Sequence, residues 1–349
     1  MAKRDKVNWK YIEELKKTEE FKAHWIPYGL PEIVDPFTSK YGDIEVYPKW
    51  KIPEKIVISQ TINGAFWSKK SNPNLPIAPD DIIKSARECA ELGPSTVHVH
   101  VRDEDGYNVL DPELYHKCID PIRDEFPMPV YDGCMVPFMD GEWDRMVSLL
   151  SDRLLEVTPV NSTACFCGDT LFAKPPHVLI EKTRLCQELG VKPQVAVYSD
   201  GDVDNADRYL IKTGLLEKPY FWIILAALPG GSPMHNPRQM VHTLMHLCEL
   251  IYDIDQESII IVCAAGRASS YVATMAMLLG LHVRVGMEDT IWDYPHKDDL
   301  ITSNADNFKR FKMLAELLGR EVADGNEYRE LIGLPRREVA AGAPAHANA

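Results

Sequence analysis

Apolar and polar positions along the middle of the chain form a regular succession of short and long segments. Short apolar runs rich in β-branched residues are typical of buried strands, and longer segments with Pro or a capping residue at their entrance indicate helices. The predicted strands span 55–62, 96–101, 129–133, 154–160, 194–198, 221–227, 258–264 and 282–286. The predicted helices span 79–92, 111–125, 141–152, 177–189, 203–213, 237–251, 267–280 and 298–318.

This succession predicts an α/β fold, a (β/α)₈ TIM barrel with an N-terminal extension, because eight strand–helix repeats are what such a barrel needs. The alternative, a doubly wound sheet, would carry a glycine-rich phosphate-binding turn after its first strand. The chain has Asn63-Gly64-Ala65-Phe66-Trp67 there, without that pattern. The barrel is therefore the favoured fold.

The regular pattern covers only part of the 349 residues. We expect residues 1–50 to be an N-terminal extension with a helix over 8–24, residues 51–334 to be the catalytic barrel, and the Ala- and Pro-rich residues 335–349 to be a disordered tail. Trp9, Tyr11, Trp25 and Tyr28 make the extension too apolar for a free tail. It is predicted to pack on the barrel or on a neighbouring subunit.

Two histidines share one face of the second predicted strand. Because alternate residues of a strand point the same way, His98 and His100 leave it together, while Val97, Val99 and Val101 face the opposite layer. Polar side chains on the inner face of an apolar strand are costly unless they are satisfied. The pattern therefore predicts a metal site, against the alternative of two core histidines satisfied by hydrogen bonds.

A carboxylate for this site is available at the end of the last strand, which lies beside the first strand once a barrel closes. Glu288 follows that strand, and two histidines with one carboxylate leave open positions, which is typical of a catalytic metal. Zn²⁺ is the first candidate, since imidazole and carboxylate suit it. Fe²⁺ and Mn²⁺ use the same ligands and remain alternatives.

The carboxyl ends of barrel strands carry the active-site residues of this fold. On that basis we expect five residues to line the substrate pocket: Phe66, Trp67, Tyr131, Asp132 and Asn161. Two other patterns are weaker. His242 and His246 share a helix face without the Glu of a His-Glu-x-x-His motif, and the Cys165-Phe166-Cys167 pair has no partners at metal-site spacing, so both are interpreted as structural.

Charge and cysteine content narrow the class of protein. A net charge of −14 disfavours nucleic acid or an anionic membrane as a partner. No apolar stretch is long enough to predict a membrane span. We also do not expect the N-terminal residues to be a secretory signal, because they contain no apolar core segment. Eight cysteines, most of them in apolar segments, fit thiols in a reducing cytoplasm.

Several motifs in order along residues 55–334 resemble the β-keto acid cleavage enzyme family. They are Pro73-Asn74-Leu75-Pro76-Ile77, His98-Val99-His100-Val101-Arg102, Pro229-Gly230-Gly231, Gly266-Arg267 and Arg284-Val285-Gly286-Met287-Glu288-Asp289. The resemblance implies a (β/α)₈ barrel, a homotetramer and a catalytic Zn²⁺. It also implies a retro-Claisen-type transfer, in which a β-keto acid and acetyl-CoA give acetoacetate and a new acyl-CoA.

The resemblance also assigns roles to residues. His98, His100 and Glu288 match the family's zinc ligands, Asp289 matches its general base, and Arg284 matches the residue that orients that base. A carboxylate needs a perturbed pKa to act as a base near neutral pH.

The chain departs from the family's pattern around the substrate. Phe66 stands where a characterised member has a Glu that holds an amino group, which favours an apolar or aromatic substrate over an aminated one. The loop that holds the substrate carboxylate is replaced by Tyr131-Asp132-Gly133-Cys134, in which Asp132 would repel a carboxylate at short range. A metal-dependent lyase or hydrolase acting on a non-acidic ketone without CoA is therefore a second prediction, and a barrel that has lost its activity is a third.

Overall fold

A computed structural model describes residues 6–16, 48–161, 163–232 and 236–338, and the chain divides into two compact units, Met1–Lys51 and Ile52–Ala349. The first unit contains helix α1 (Trp9–Leu15), capped by Asn8, whose side chain accepts a hydrogen bond from the backbone N–H of Tyr11 at 3.2 Å. This confirms part of the helix predicted over 8–24. Its remaining positions, 17–24, lie outside the described residues.

The second unit is a closed barrel of eight parallel strands with helices between them, as predicted. The described residues form twelve strands, eight of them in the barrel: β1 (Lys55–Ile56), β2 (Ile58–Thr61), β3 (Thr96–His98), β4 (Val130–Asp132), β5 (Val157–Val160), β6 (Ala164–Cys167), β7 (Thr170–Ala173), β8 (Lys192–Val197), β9 (Phe221–Ala226), β10 (Ile259–Ala264), β11 (His282–Gly286) and β12 (Glu321–Val322). The helices are α2 (Pro79–Ala90), α3 (Pro112–Glu125), α4 (Glu142–Asp152), α5 (Pro176–Glu188), α6 (Asp200–Ala206), α7 (Pro237–Ile254), α8 (Ser269–Leu278), α9 (Asn304–Leu317) and α10 (Gly325–Ile332).

The barrel order is β2, β3, β4, β5, β8, β9, β10 and β11, which pairs again with β2. The other strands lie outside the barrel: β1 pairs with β12 in parallel, and β6 pairs with β7 in an antiparallel hairpin. The predicted strand 55–62 is therefore two strands, β1 and β2. The helix predicted over 203–213 begins earlier, as α6, and continues as a π-helical turn over Asp207–Ile211.

Two apolar layers hold the barrel together. Val97, Val99 and Val101 lie in the larger layer between the strands and the surrounding helices, which confirms the predicted direction of the second strand. The smaller cluster contains residues of five barrel strands, β4, β5, β8, β9 and β10, together with Tyr328 and Ile332 of α10. The sequence pattern did not predict α10.

Helix α10 is held to β4 and β5 by a buried arginine. Arg329 donates to both carboxylate oxygens of Glu156, at 2.7 and 2.8 Å, and to the carbonyls of Met128 and Pro129. Arg337, at a position predicted to be in the tail, also donates to Glu156, at 2.9 Å. Positions 339–349 of the predicted tail lie outside the described residues. Within the described ranges, we find no helix with the length and apolar character that crossing a bilayer requires.

Candidate metal and active site

The order of the barrel brings the predicted metal ligands together. Strand β2 lies between β11 and β3, with Thr61 opposite Gly286 on one side and His98 on the other. Glu288 follows Gly286 by two residues, so its side chain reaches the histidines across β2. This adjacency places Glu288 where the predicted metal site needs its carboxylate.

One ligand atom from each of His98, His100 and Glu288 lies within 4.8 Å of the others, and among the described residues this is the one such His/Cys/Asp/Glu group. His98 Nε2 lies 3.0 Å and His100 Nε2 3.5 Å from Glu288 Oε2. All three atoms are buried and have no hydrogen-bond partner among the described residues. Buried polar atoms are normally satisfied, so three that converge without partners fit a metal ion.

The other ring nitrogen of each histidine is occupied. His98 Nδ1 lies 2.6 Å from Asp132 Oδ1, and His100 Nδ1 forms a 2.6 Å hydrogen bond with Asn108 Oδ1. With an oxygen 2.6 Å from each Nδ1, the Nε2 atom of each ring is the one directed towards Glu288. Ligating histidines in metalloproteins are oriented in this way by carboxylate or carbonyl partners.

The loop after β2 fits closely against the ligands. Asn63 donates from Nδ2 to the carbonyl of His100 at 3.0 Å and accepts at Oδ1 from the N–H of His100 at 3.1 Å, which fixes that backbone. Gly64 lies so near Glu288 that a Cβ atom at this position would be 2.3 Å from Glu288 Cγ. The glycine therefore makes room for the carboxylate.

Arg102 holds the loop after β2 through hydrogen bonds to its backbone carbonyls. It is buried and donates to the carbonyl of Gly64 from Nε at 2.9 Å and from Nη2 at 2.6 Å, and to the carbonyl of Trp67 at 2.8 Å. Trp67 in turn donates from Nε1 to the backbone carbonyl of Glu288 at 3.0 Å. One arginine thus sets the position of the loop that carries Phe66 and Trp67.

A second arginine lies between two carboxylates at the end of β11. Arg284 Nη1 lies 3.2 Å from Glu288 Oε1, and Arg284 Nη2 donates to Asp289 Oδ1. The second oxygen of Asp289, Oδ2, is buried and has no hydrogen-bond partner among the described residues. Asp289 is therefore held at one oxygen and free at the other.

Burial and charge shift the pKa values of this cluster in opposite directions. Burial raises the pKa of Asp289 to about 6, against the opposing charge of Arg284. Burial also acts to raise the pKa of Glu288, but Arg284 and the two histidines outweigh it and hold that pKa well below its usual range. Two adjacent carboxylates are thus separated into a permanent anion and a group that titrates near neutral pH.

His98 lies in a strongly negative environment. Burial alone would lower its pKa, but Glu288 and Asp132 more than offset this and raise the pKa to about 10. Groups that stabilise a proton on this imidazole also stabilise a metal cation in the same place.

The cluster opens into a cavity of about 1050 Å³ over the carboxyl ends of the strands. Its wall is mainly apolar and includes Phe66, Trp67, Leu225, Leu228 and Met240. His100, Arg284, Glu288 and Asp289 lie along the same cavity, as does Asn161. Phe66 is two-thirds exposed at 67%, which places it at the rim.

Two predicted substrate residues lie elsewhere. Tyr131 is fully buried in the layer between strands and helices, and its hydroxyl contacts the carbonyls of Ile122 and Phe126 at 3.2 and 2.7 Å. The prediction for Tyr131 is corrected on physical grounds: adjacent residues of a strand face opposite sides, and Asp132 takes the inner one. Asp132 contacts His98 instead of lining the cavity.

The sequence analysis missed the β6–β7 hairpin and the lysine that follows it. Lys174 lines the cavity, and Lys182 of α5 lies beside it. Neither follows a barrel strand directly, so the rule that examines strand ends does not find them. Cys167 also lines this cavity, whereas His242 and His246 are exposed on α7 and belong to no metal-binding group of the described residues.

Comparisons with known proteins agree with this geometry. The model of the beta-keto acid cleavage enzyme family matches residues 55–334. The 3-keto-5-aminohexanoate cleavage enzyme of Acetoanaerobium sticklandii is 31% identical over 287 residues, which cover 81% of this chain and 100% of the relative. The 3-dehydrocarnitine:acetyl-CoA trimethylamine transferase of Rhizobium meliloti is 26% identical, over 81% of this chain and 98% of the relative.

The fold is also similar to solved structures. A ternary complex of ObcA with a C4-CoA adduct and oxalate superposes with a TM-score of 0.62 at 18% identity, covering 75% of this chain and 68% of that chain. At this identity the likeness concerns the barrel fold alone.

Proposed function

The chain belongs to the beta-keto acid cleavage enzyme family, and on that premise we propose that it breaks a carbon–carbon bond of a β-keto acid with acetyl-CoA as the acceptor. The balanced reaction converts the β-keto acid and acetyl-CoA into acetoacetate and a new acyl-CoA. Acetyl-CoA is also named in the activity of the Rhizobium relative. The observation that carries the proposal is the set of three unpartnered ligand atoms beside the held carboxylate of Asp289.

His98, His100 and Glu288 would hold one divalent metal, with Zn²⁺ as the first candidate and Fe²⁺ or Mn²⁺ as alternatives. The convergence of their unpartnered atoms supports this assignment. When bound, such an ion supplies Lewis acidity, which stabilises negative charge that develops on a keto oxygen.

Asp289 would act as the general base. Its Oδ2 has no hydrogen-bond partner in the described part of the chain, so it can accept a proton from the acidic carbon of the substrate. Arg284 acts as a positioning residue, because its hydrogen bond to Oδ1 holds the carboxylate in one orientation. The pKa of Asp289, raised by burial to about 6, gives the carboxylate useful basicity at neutral pH.

The acyl portion of the substrate is proposed to be apolar or aromatic and not aminated. Phe66 and Trp67 line the cavity near the cluster, and an ammonium group buried against them would lack a carboxylate partner there. We further propose a homotetramer located in the cytoplasm. All eight cysteines are free thiols, as a reducing compartment would maintain them.

The test is an assay of purified enzyme with acetyl-CoA and a panel of β-keto acids, in which new acyl-CoA is detected by mass spectrometry. Asp289→Asn should lower kcat at least 100-fold while metal content stays unchanged, because the amide cannot accept the proton. Asp124→Asn, at an exposed position on α3, is the matched control and should behave as the wild type.

The double variant His98→Ala, His100→Ala should lose metal and activity together. Full metal occupancy in that variant would disprove the ligand assignment. An active Asp289→Asn enzyme would disprove the base. For the substrate, Phe66→Glu should shift kcat/KM towards aminated β-keto acids, and a wild type that prefers them tenfold would contradict the apolar pocket.

A further inference from the structure

Under the β6–β7 hairpin lies a small cavity of about 150 Å³ beside the main one. The two cavities share Val136, Phe138, Pro159, Asn161 and Lys174 in their walls. Lys182 completes the small cavity from the side of α5. A space of this size, continuous with the substrate cavity, suits one small polar group of a larger ligand.

The small cavity is electropositive. Lys174 and Lys182 are partly and almost fully buried, and neither has a carboxylate within ion-pair distance among the described residues. Lys182 donates to the carbonyls of Met135 and Pro159. By contrast, the two arginines of the main cavity, Arg267 and Arg284, are paired with carboxylates.

Asn161 adds a directed donor. Lys174 Nζ donates to Asn161 Oδ1 at 2.6 Å, and because an ammonium group cannot accept, the amide oxygen must face the lysine. The amide nitrogen therefore faces another way, and this buried Nδ2 has no hydrogen-bond partner among the described residues. Asn161 is 4% exposed, so water in bulk does not satisfy that nitrogen.

The Lys174 side chain is also held in place. Its ammonium lies 4.8 Å from the centre of the Phe172 ring, and its backbone N–H donates to the carbonyl of Thr163 at 2.8 Å, which closes the base of the hairpin. Burial lowers the pKa of Lys174 to about 8, and the nearby Lys182 charge adds to this. An ordered cation in these surroundings is incomplete without an anion.

We propose that Lys174 and Asn161, with Lys182 behind them, form a carboxylate-binding subsite that selects acidic substrates. The ammonium and the free amide N–H are the two donors that a carboxylate would accept. This inference deepens the proposed function and rests on it for the identity of the substrate. It accounts for how a cavity without the family's carboxylate-binding loop can still take a β-keto acid, and it opposes aminated substrates.

The first test measures binding without turnover. Hexanoate and its neutral isostere hexanamide are titrated into the metal-loaded enzyme by calorimetry. We expect the wild type to bind hexanoate at least tenfold more tightly. Lys174→Met should abolish that preference, Lys174→Arg should keep most of it, and Lys117→Met, at an exposed position on α3, should leave it unchanged.

Asn161→Asp is a nearly isosteric second variant. It removes the amide donor and places a carboxylate next to the ammonium, so it should also abolish the preference even if Lys174→Met does not fold. An unchanged preference in Lys174→Met, or in Asn161→Asp where the former does not fold, would overturn the subsite.

The second test identifies which carboxylate is bound. For 3-oxohexanoate and 3-oxohexanedioate, kcat/KM is compared between wild type and Lys174→Met. An equal loss for both assigns the subsite to the β-keto acid carboxylate, and a loss for the diacid alone assigns it to a distal carboxylate. A preference for hexanoate that depends on Lys174 in an enzyme without cleavage activity would refute the proposed function and keep the subsite. If Lys174→Met cleaves both substrates as fast as the wild type and keeps the preference for hexanoate, the subsite is refuted and the proposed function stands.

Discussion

Single atoms decide the geometry of the proposed metal site. The Nδ1 contacts of His98 and His100 leave both Nε2 atoms facing Glu288. Arg284 and the two histidines hold the pKa of Glu288 low, whereas burial raises the pKa of the adjacent Asp289. At this scale, function depends on which oxygen or nitrogen has a partner.

The absence of a side chain at Gly64 is predicted to be essential for the cluster. Gly64→Ala would place Cβ against Glu288 at a backbone φ of +63°, so the carboxylate must move. Metal affinity, measured by chelator competition, should fall at least tenfold. Gly168→Ala is the control, since Gly168 has φ +62° and open space around it. Equal affinity in the two variants would show that the close approach to Glu288 is unimportant.

A histidine away from the cluster is predicted to make the fold sensitive to acid. His282 Nδ1 accepts from the N–H of Val57 at 3.0 Å, and burial, with Arg320 nearby, lowers the pKa of His282 to about 3. The unfolded chain takes up a proton below about pH 6.5, and the folded chain does so only near pH 3. The contribution of neutral His282 to the free energy of unfolding is therefore fully present above about pH 6.5 and is lost as the pH falls towards 3.

His282→Asn keeps a hydrogen-bond acceptor and removes the titration. Denaturant unfolding of the metal-free protein should show that the wild type loses about 2 kcal/mol more than the variant between pH 7 and pH 5, at about 1.4 kcal/mol per pH unit for one proton. Parallel losses in the two proteins would assign the acid sensitivity to other groups.

Elements outside the strand–helix alternation shape both ends of the barrel. The β6–β7 hairpin packs on the turn after β9, where the N–H of Gly168 donates to the carbonyl of Pro229 at 3.2 Å, and it leads into Lys174. At the other end, α10 places Tyr328 and Ile332 in the smaller apolar cluster. The hairpin therefore serves the substrate cavity and α10 serves stability.

The attachment of α10 is predicted to depend on one ion pair. Arg329→Met would leave the half-buried Glu156 with only Arg337 as its ionic partner among the described residues. Removal of one member of a buried pair costs about 3–5 kcal/mol. The free energy of unfolding in urea should fall by an amount in that range, while kcat per folded molecule stays unchanged. Arg184, whose exposed side chain pairs with Glu181 and Glu188, is the comparison, and Arg184→Met should cost about 1 kcal/mol or less.

The sequence predicted the elements that follow a strict period and missed those that do not. The barrel strands are continuous apolar runs because both of their faces are buried. Strands β6 and β7 are largely exposed and leave no such signal, and α10 follows the last predicted repeat. The three residues proposed as metal ligands could be grouped from the sequence because strand alternation and barrel closure are general rules. Lys174, in contrast, approaches Asn161 only through a hairpin of irregular sequence.

At the scale of the whole molecule, the chain has two units, and the role of the first stays a prediction. In the described part of the extension, Trp9 and Tyr11 are exposed. Deletion of residues 1–50 should therefore lower the melting temperature or change the oligomer size, because these aromatic side chains need an apolar partner. Light scattering and calorimetry measure both, and a truncated protein unchanged in each would contradict the prediction.

Barrel closure between β11 and β2 also determines when, during folding, the proposed metal site can assemble. His98 and His100 are synthesised early, Glu288 and Asp289 late, and the two halves of the site meet only when β11 pairs with β2. Contacts between such distant parts of the chain form slowly, since the entropy of closing a long loop must be offset first. A nascent or half-folded chain therefore offers two histidines without their carboxylate, so the three proposed metal ligands come together only once the barrel has closed.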